Sequence, residues 1–289
     1  MMSTGLNIHT KKHDMNKQQS SRRENKLSLL IHIPHGGEKL NEAQIKDFSI
    51  NEKELMHYVY IMRDTGAMEI AEDFEDCIFK SDISRLWCDV ERYIGPEEIM
   101  EKYGMGYCYE KAYDGTVIKV LSKDILSRTR SFYDEYHKAL NDTVMKNRNL
   151  LFIDLHTFSK ELVMPDFIKG PMPDICIGTD DTYTSSAITN AVIKTCEAYG
   201  YSHDINYPYS GTMVPSAVKE CDSTYNFTSV MIEVNKSLFM NADGSLDNAK
   251  LMNLQNFFMD TVHSIAGLDE DMILCPFKRP AYITDEFTL

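Results

Sequence analysis

The sequence contains no CxxC pair, and its seven cysteines are an odd number. These two features favour reduced, partly buried thiols over a disulfide framework. The chain also lacks any apolar run approaching the roughly 18 residues that a membrane span needs. Its positively charged N-terminus is not followed by the apolar stretch of a secretory signal. The sequence therefore predicts a cytoplasmic protein that does not enter a membrane.

Positive charge is scarce in the chain, which has 30 Lys and Arg against 44 Asp and Glu, for a formal net charge of −14. Such an acidic protein repels phosphate backbones and anionic lipid head groups, which argues against nucleic acid or a membrane surface as a partner. The sequence also lacks internal repeats and Ser/Gly/Pro linkers, so we expect one domain over residues 27–289. Residues 1–26, with almost nothing apolar after Ile8, are predicted to be a mobile tail.

Short β-rich runs alternate with longer segments of helical periodicity from residue 27 onward. Apolar residues recur at helical spacing over 184–200 and 251–267, and each segment ends at a glycine. Strands are predicted at 27–33, 76–83, 150–155, 174–177 and 229–234. The alternation predicts a single α/β domain with a mixed, mostly parallel central sheet flanked by helices. In such folds the functional site lies beyond the carboxyl ends of the strands.

Residues that can bind a metal follow two of the predicted strands. The first strand runs into a Gly-Gly turn that carries His35 and, three residues later, Glu38. The apolar strand at 150–155 ends beside His156. Two histidines and one carboxylate are a common ligand set of catalytic zinc, which predicts His35, Glu38 and His156 as ligands. Asp154 faces the same way as His156 along the strand, so its carboxylate is predicted to accept a hydrogen bond from the metal-bound imidazole.

A single carboxylate, Glu233, interrupts the apolar strand predicted at 229–234. An unpaired buried carboxylate is costly, so Glu233 must be neutralised or paired. Next to a metal it is suited to take a proton from water and pass it to a leaving nitrogen. The alternative is a structural ion pair with a buried arginine.

Two arginines, Arg85 and Arg92, lie seven residues apart in a segment rich in acidic residues. An arginine fork binds a carboxylate through two parallel hydrogen bonds. One arginine is therefore predicted to bind a substrate carboxylate and the other to stabilise the oxyanion that forms on the attacked carbonyl. The alternative is that Asp82, Asp89 and Glu91 pair with both arginines at the surface.

Several ordered motifs resemble those of the N-formylglutamate amidohydrolase family, which is related in fold to the zinc carboxypeptidases. They are PHGGE at 34–38, SRLWCDVER at 84–92, DLHT at 154–157, PYSG at 208–211 and the EVN that begins at Glu233. The resemblance implies a phosphorylase/hydrolase-like fold, one zinc ion per chain, and hydrolysis of the amide of an N-formyl or N-acyl amino acid. The family usually has asparagine where this chain has Glu91, and a second glycine where it has Thr212.

The same resemblance implies roles for individual residues. His35, Glu38 and His156 look like the metal ligands, and Glu233 looks like the catalytic glutamate. The remaining matches look like substrate-binding groups, namely Arg85, Arg92, Tyr209, Ser210 and Gly211. The expected partner is a small anionic N-acyl amino acid, and His/carboxylate sites also accept divalent ions other than zinc.

Other interpretations remain open at the level of sequence. The same site in a carboxypeptidase-like enzyme would hydrolyse short peptides, and the fold could also carry a metal without turnover. A phosphate-binding Gly-Gly turn is disfavoured because it lacks the Lys and Ser/Thr of a P-loop. The helically spaced Phe132, Tyr133, Tyr136 and Leu140 are predicted to belong to the core, with His137 beside them at its edge.

Overall fold

The computed structural model describes residues 27–147, 149–221 and 225–267, so the tail predicted at 1–26 lies outside the described residues. Within these ranges one six-stranded sheet has the order β2-β1-β3-β6-β4-β5. The strands are β1 (Ser28–Ile33), β2 (Ile78–Lys80), β3 (Asn149–Phe158), β4 (Ile175–Gly178), β5 (His203–Ile205) and β6 (Asn226–Asn235).

The sheet is mixed and mostly parallel, as the sequence predicts. Strand β1 pairs in parallel with β2 and β3, and β3 pairs in parallel with β6. Strand β4 runs antiparallel to β6 and parallel to β5. The prediction misses β5, which has only three residues and is largely exposed. It also makes β2 too long, because 72–77 form a 3-10 helix before the strand begins.

Helices cover both faces of the sheet. In the described ranges they are α1 (Glu42–Ile45), α2 (Glu52–Met62), α3 (Ala67–Ile70), α4 (Lys123–Val144), α5 (Ser186–Tyr199), α6 (Ser216–Lys219) and α7 (Asn248–Ala266). Both predicted helices, α5 and α7, are present. Helix α5 starts at a Ser185 cap and ends at Gly200 in the left-handed conformation, which favours glycine. Among the described residues, no helix combines the length and the apolar character of a membrane span.

The alternation of side chains along the strands creates two hydrophobic clusters. Residues such as Ile31 and Ile153 face the cluster that includes α3, α5 and α7. Residues such as Leu30 and Phe152 face the opposite cluster, which includes α2 and α4. Buried cysteines of the described ranges, including Cys88, form no disulfide bonds. Because side chains alternate with a period of two, the even-numbered residues of β1 and β3 share the second face, where the polar side chains gather towards the strand ends.

Candidate active site

Three buried side chains converge at the carboxyl edge of the sheet. His35 follows β1, His156 lies in β3, and Asp64 follows α2. Their ligand atoms all lie within 4.8 Å of one another, as a metal-binding group requires. Asp64 Oδ2 is 2.9 Å from His156 Nδ1 and 3.8 Å from His35 Nδ1. The two histidines that the sequence selects are therefore brought together, with an aspartate that it does not select.

The structure does not bring Glu38 into this group. Its side chain is 61% exposed and pairs with Arg63. The physical reason lies in the preceding residue, Gly37, where a Cβ would stand 2.5 Å from the backbone of Asp82. Lys39 N then donates to Asp82 O at 2.9 Å, so the chain leaves the site along the 81–83 segment. The spacing of three residues between His35 and Glu38 (HxxE) thus falls on an irregular turn that directs Glu38 away from the site. Asp64, and not Glu38, is the carboxylate that lies beside the two histidines.

Asp89 is fully buried and collects hydrogen bonds from several side chains of the site. His35 Nε2 lies 2.7 Å from its Oδ1, while Arg85 Nη2 and the Tyr109 hydroxyl donate to its Oδ2 at 2.8 and 2.7 Å. Because a carboxylate only accepts, the proton of His35 sits on Nε2, which leaves Nδ1 facing Asp64. The pairing of Arg85 with Asp89 exists, but it lies inside the site and not at the surface.

Asp154 lies beside His156 on the face that the strand periodicity predicts, but His156 Nε2 makes no hydrogen bond to any described residue, so the predicted hydrogen bond is not formed in this geometry. Asp154 Oδ1 is 3.2 Å from His156 Nε2 and 2.8 Å from His32 Nδ1, and its Oδ2 accepts from Met213 N at 3.0 Å. Glu91 approaches both candidate ligands, at 3.3 Å from His156 Nε2 and 3.5 Å from His35 Nδ1. These contacts leave Nδ1 of His156 directed at Asp64.

The chemistry of this set fits a divalent cation. Burial and the charge of Arg85 lower the pKa of His35, so its imidazole is neutral, which is the ligand form. Burial lowers the pKa of His156, but the charges of Glu91 and Asp154 raise it well above its ordinary value. The carboxylates around His156 therefore favour a positive charge on its ring. Without metal that charge is a proton, and a cation bound at Nδ1 would take its place. The charged residues around it are Asp64, Asp89, Glu91, Asp154 and Glu233 against Arg85, Arg92 and Lys236.

A second group with metal-binding potential consists of His32, Glu91 and Asp154. Both ring nitrogens of His32 are already hydrogen-bonded, Nδ1 to Asp154 and Nε2 to the Tyr136 hydroxyl, each at 2.8 Å. The first group has no such competing bond at His35 Nδ1, which makes it the better cation site.

Glu233 lies beside His156 in the register of β6 and β3. It is buried, and its Oε2 has no hydrogen-bond partner among the described residues. Burial raises the pKa of Glu233 to about 8, with the charges of Asp64 and Glu91 acting in the same direction against that of His156. A buried carboxylate of this kind, facing a cavity next to two imidazoles, is suited to proton transfer.

A cavity of about 410 Å³ opens over the cluster. Arg85 and Arg92 line it, and Arg92 Nε makes no hydrogen bond to any described residue, at 3.5 Å from Asp89 Oδ2. The loop residues that the sequence selects also line it, namely Tyr209, Ser210 and Gly211. The Tyr209 ring packs edge-on against Phe158, with 5.9 Å between ring centres.

Sequence reasoning missed three residues of the site: Asp64, Asp89 and Lys236. Lys236 directly follows β6, is buried, and donates from Nζ to Arg63 O at 2.6 Å. Burial lowers its pKa to about 8. One local signal for Lys236 exists in the sequence, because this lysine directly follows the apolar strand that contains Glu233. Asp64 belongs to an irregular segment, and no local pattern marks it. Asp89 lies within the SRLWCDVER motif, but the sequence suggests for it only a surface pairing with the arginines.

Comparisons with known proteins show which sequences and structures this chain is similar to. A sequence model described as N-formylglutamate amidohydrolase matches residues 27–240. The fold is similar to that of N-formylglutamate amidohydrolase from Ralstonia eutropha JMP134, with a TM-score of 0.68 at 17% identity over 83% of this chain and 93% of that chain. It is also similar to a gene product from Agrobacterium tumefaciens, with a TM-score of 0.59 at 14% identity over 86% and 92% of the two chains. No curated protein matches the sequence significantly.

Proposed function

The chain belongs to the N-formylglutamate amidohydrolase family. From this premise we propose that it hydrolyses the amide of an N-formyl or N-acyl amino acid and that it uses one divalent cation, with zinc as the first candidate. The family makes the chain a hydrolase of an amide bond. The observation that carries the finer proposal is the unpartnered carboxylate of Glu233 beside the group of His35, Asp64 and His156, in one cavity.

In this proposal His35, Asp64 and His156 would hold the cation, and the carboxylate ligand is Asp64 in place of the Glu38 expected from the sequence. When bound, the cation supplies a Lewis acid that polarises the carbonyl and makes water a nucleophile at neutral pH. Asp89 and Asp154 keep the two imidazoles in the orientation and protonation state that a ligand needs.

Glu233 performs the proton transfers. In its ionised form, which the positive charge of a bound cation would favour, it takes a proton from the attacking water and returns it to the nitrogen of the breaking C–N bond, so that the products are a carboxylic acid and an amine. Arg85, which is held by Asp89, stabilises the negative charge that develops on the carbonyl oxygen. The side chain of Arg92 remains available for the substrate carboxylate, and the 209–211 loop lines the same cavity.

Metal content and substrate screening test the proposal together. We expect about one zinc per chain by inductively coupled plasma mass spectrometry on protein without a polyhistidine tag, and loss of that zinc in both His35→Ala and His156→Ala. His263→Ala, an exposed residue of α7, is the matched control. Formate or amine release should be faster from N-formylglutamate or a related N-acyl amino acid than from short peptides. Absence of stoichiometric metal after zinc is supplied would overturn the proposal, and faster peptide cleavage would favour the carboxypeptidase-like reading.

Arg92→Met should raise KM for the best N-acyl amino acid at least about tenfold, because a hydrogen bond between charged groups contributes roughly 1.5–3 kcal/mol. The effect on kcat should be smaller, since the carboxylate is bound in both ground and transition states. Steady-state kinetics check this, with Arg130→Met as control because Arg130 is exposed and pairs with Asp134. An unchanged KM would remove Arg92 from substrate binding.

A further inference from the structure

A chain of buried hydrogen bonds continues from the candidate site into the core. Asp154 Oδ1 contacts His32 Nδ1 at 2.8 Å, and His32 Nε2 contacts the Tyr136 hydroxyl at 2.8 Å. His32 lies in β1 beside Asp154 in the strand register, and Tyr136 lies in α4. All three side chains are buried. The sequence assigns Tyr136 to the core only, so its hydroxyl is a feature that the fold reveals.

The direction of these hydrogen bonds follows from the chemistry of the groups. An aspartate carboxylate accepts hydrogen bonds, and Oδ2 of Asp154 already accepts one from the backbone N–H of Met213 at 3.0 Å. Nδ1 of His32 must therefore carry a proton. Burial raises the pKa of Tyr136 well above its ordinary value, so the hydroxyl keeps its proton and donates it to Nε2 of His32. Tyr136 thus selects the tautomer of His32 that can donate to Asp154.

The carboxylate at the end of this chain has two further contacts, and both belong to the site. Asp154 Oδ1 lies 3.2 Å from Nε2 of the candidate ligand His156. Asp154 Oδ2 accepts from Met213 N at 3.0 Å, and Met213 lines the cavity together with the 209–211 loop. A rotation of the Asp154 carboxylate would therefore disturb the orientation of His156 and the anchoring of the loop together.

Packing alone does not explain a histidine and a tyrosine at these positions. The His32 ring lies among Phe79 and Phe152, at 6.4 and 5.3 Å between ring centres, and Tyr136 packs edge-on against Phe79 at 5.2 Å. Phenylalanine in place of both residues would fill this apolar space without burying polar atoms. Burying the polar atoms of His32 and Tyr136 costs desolvation free energy, and their hydrogen bonds to each other and to Asp154 offset that cost.

We propose that His32 and Tyr136 are positioning residues that hold Asp154 in the one orientation in which it supports both His156 and the 209–213 backbone. This inference rests on the proposed function, because it takes His156 as a metal ligand. It adds a buried support that reaches from the metal group to helix α4.

Tyr136→Phe tests the inference, because it removes one hydroxyl and keeps the ring. We expect zinc affinity, measured by competition with a chelator, to fall about tenfold, at the lower end of the range for losing a direct partner of a metal ligand, because Tyr136 acts through His32 and Asp154. kcat/KM should fall with it. Tyr225→Phe is the matched control, since it loses a hydroxyl bond of 2.6 Å to Val144 O at the end of α4, away from the site. Melting temperatures should drop similarly in both variants.

Two further measurements separate positioning from simple stability. In 15N-histidine-labelled protein without metal, the ring nitrogens of His32 should shift in Tyr136→Phe and stay unchanged in Tyr225→Phe. In a His32→Phe background, Tyr136→Phe should cause no additional loss of zinc affinity, because Tyr136 acts through His32. Equal zinc affinity in Tyr136→Phe and Tyr225→Phe would overturn the inference, as would unchanged His32 shifts. If the wild type binds no zinc, the proposed function fails, and the His32 shifts alone then decide whether the hydrogen-bonded chain exists.

Discussion

Glu233→Gln is expected to lower kcat for amide hydrolysis by about a thousandfold, within the range for losing a general acid–base. Glutamine keeps the size of the side chain but cannot take a proton from water. The zinc content should stay near one per chain, because Glu233 lies outside the group of His35, Asp64 and His156. The melting temperature should not fall, since the amide, like the protonated carboxyl that burial favours, carries no charge close to Asp64 and Glu91. Single-turnover kinetics together with metal analysis check these three results.

The control for this substitution is Glu197→Gln on the exposed face of α5, which should leave both kcat and zinc content unchanged. Turnover within about tenfold of the wild type in Glu233→Gln would remove Glu233 from the proton transfers, and would leave a buried structural ion pair as its role. Loss of zinc in the same variant would instead make Glu233 part of the metal group.

Asp64→Asn should weaken zinc binding by at least about a hundredfold and abolish turnover with it, whereas Glu38→Gln should change neither. Asp64 supplies the only carboxylate in the group of His35, Asp64 and His156. Removing a ligand should cost at least as much as removing a group that orients one, which is worth up to about a hundredfold. Glu38 is exposed and pairs with Arg63, and such surface pairs contribute little to stability. Zinc affinity by chelator competition distinguishes the two variants.

This pair of variants contrasts the sequence interpretation with the geometry directly. If Asp64→Asn retained zinc and Glu38→Gln lost it, Glu38 would be the third ligand, as the sequence predicts. The 36–39 turn would then have to rearrange when metal binds. The hydrogen bond of Asp64 N to His35 O at 2.9 Å and that of Lys236 to Arg63 O hold Asp64 in place from two sides. We therefore expect the geometry, with Asp64 as ligand, to be upheld.

The meeting of His35 and His156 was predictable from the sequence because each lies close to the carboxyl end of an apolar strand. In a parallel sheet the carboxyl ends of neighbouring strands lie at one edge, and β1 and β3 are neighbours. The period of two along a strand also places Asp154 on the face of His156, and their contact at 3.2 Å follows from it. The same reasoning points Glu233 towards this edge, where the β3–β6 register sets it beside His156.

The contributions of Asp64 and Asp89 could not be predicted in this way. Both belong to irregular segments, where no periodicity tells which side chain is buried. Their positions depend on contacts between parts of the chain that are distant in sequence, such as His156 Nδ1 with Asp64 and His35 Nε2 with Asp89. The exclusion of Glu38 has the same origin, since the close approach of Gly37 to Asp82 turns the chain away from the site.

The sequence by itself determined the α/β class, the mostly parallel sheet, the edge at which the site forms and the residues that strands deliver to it. These properties follow from hydrophobic periodicity, which is local and acts along each strand or helix. Only the tertiary structure decided which carboxylate completes the metal group, what holds the imidazoles and arginines, and that a core tyrosine bonds to His32. These properties depend on how loops and helices pack across the sheet, because a side chain outside a regular element takes its direction from its neighbours in space.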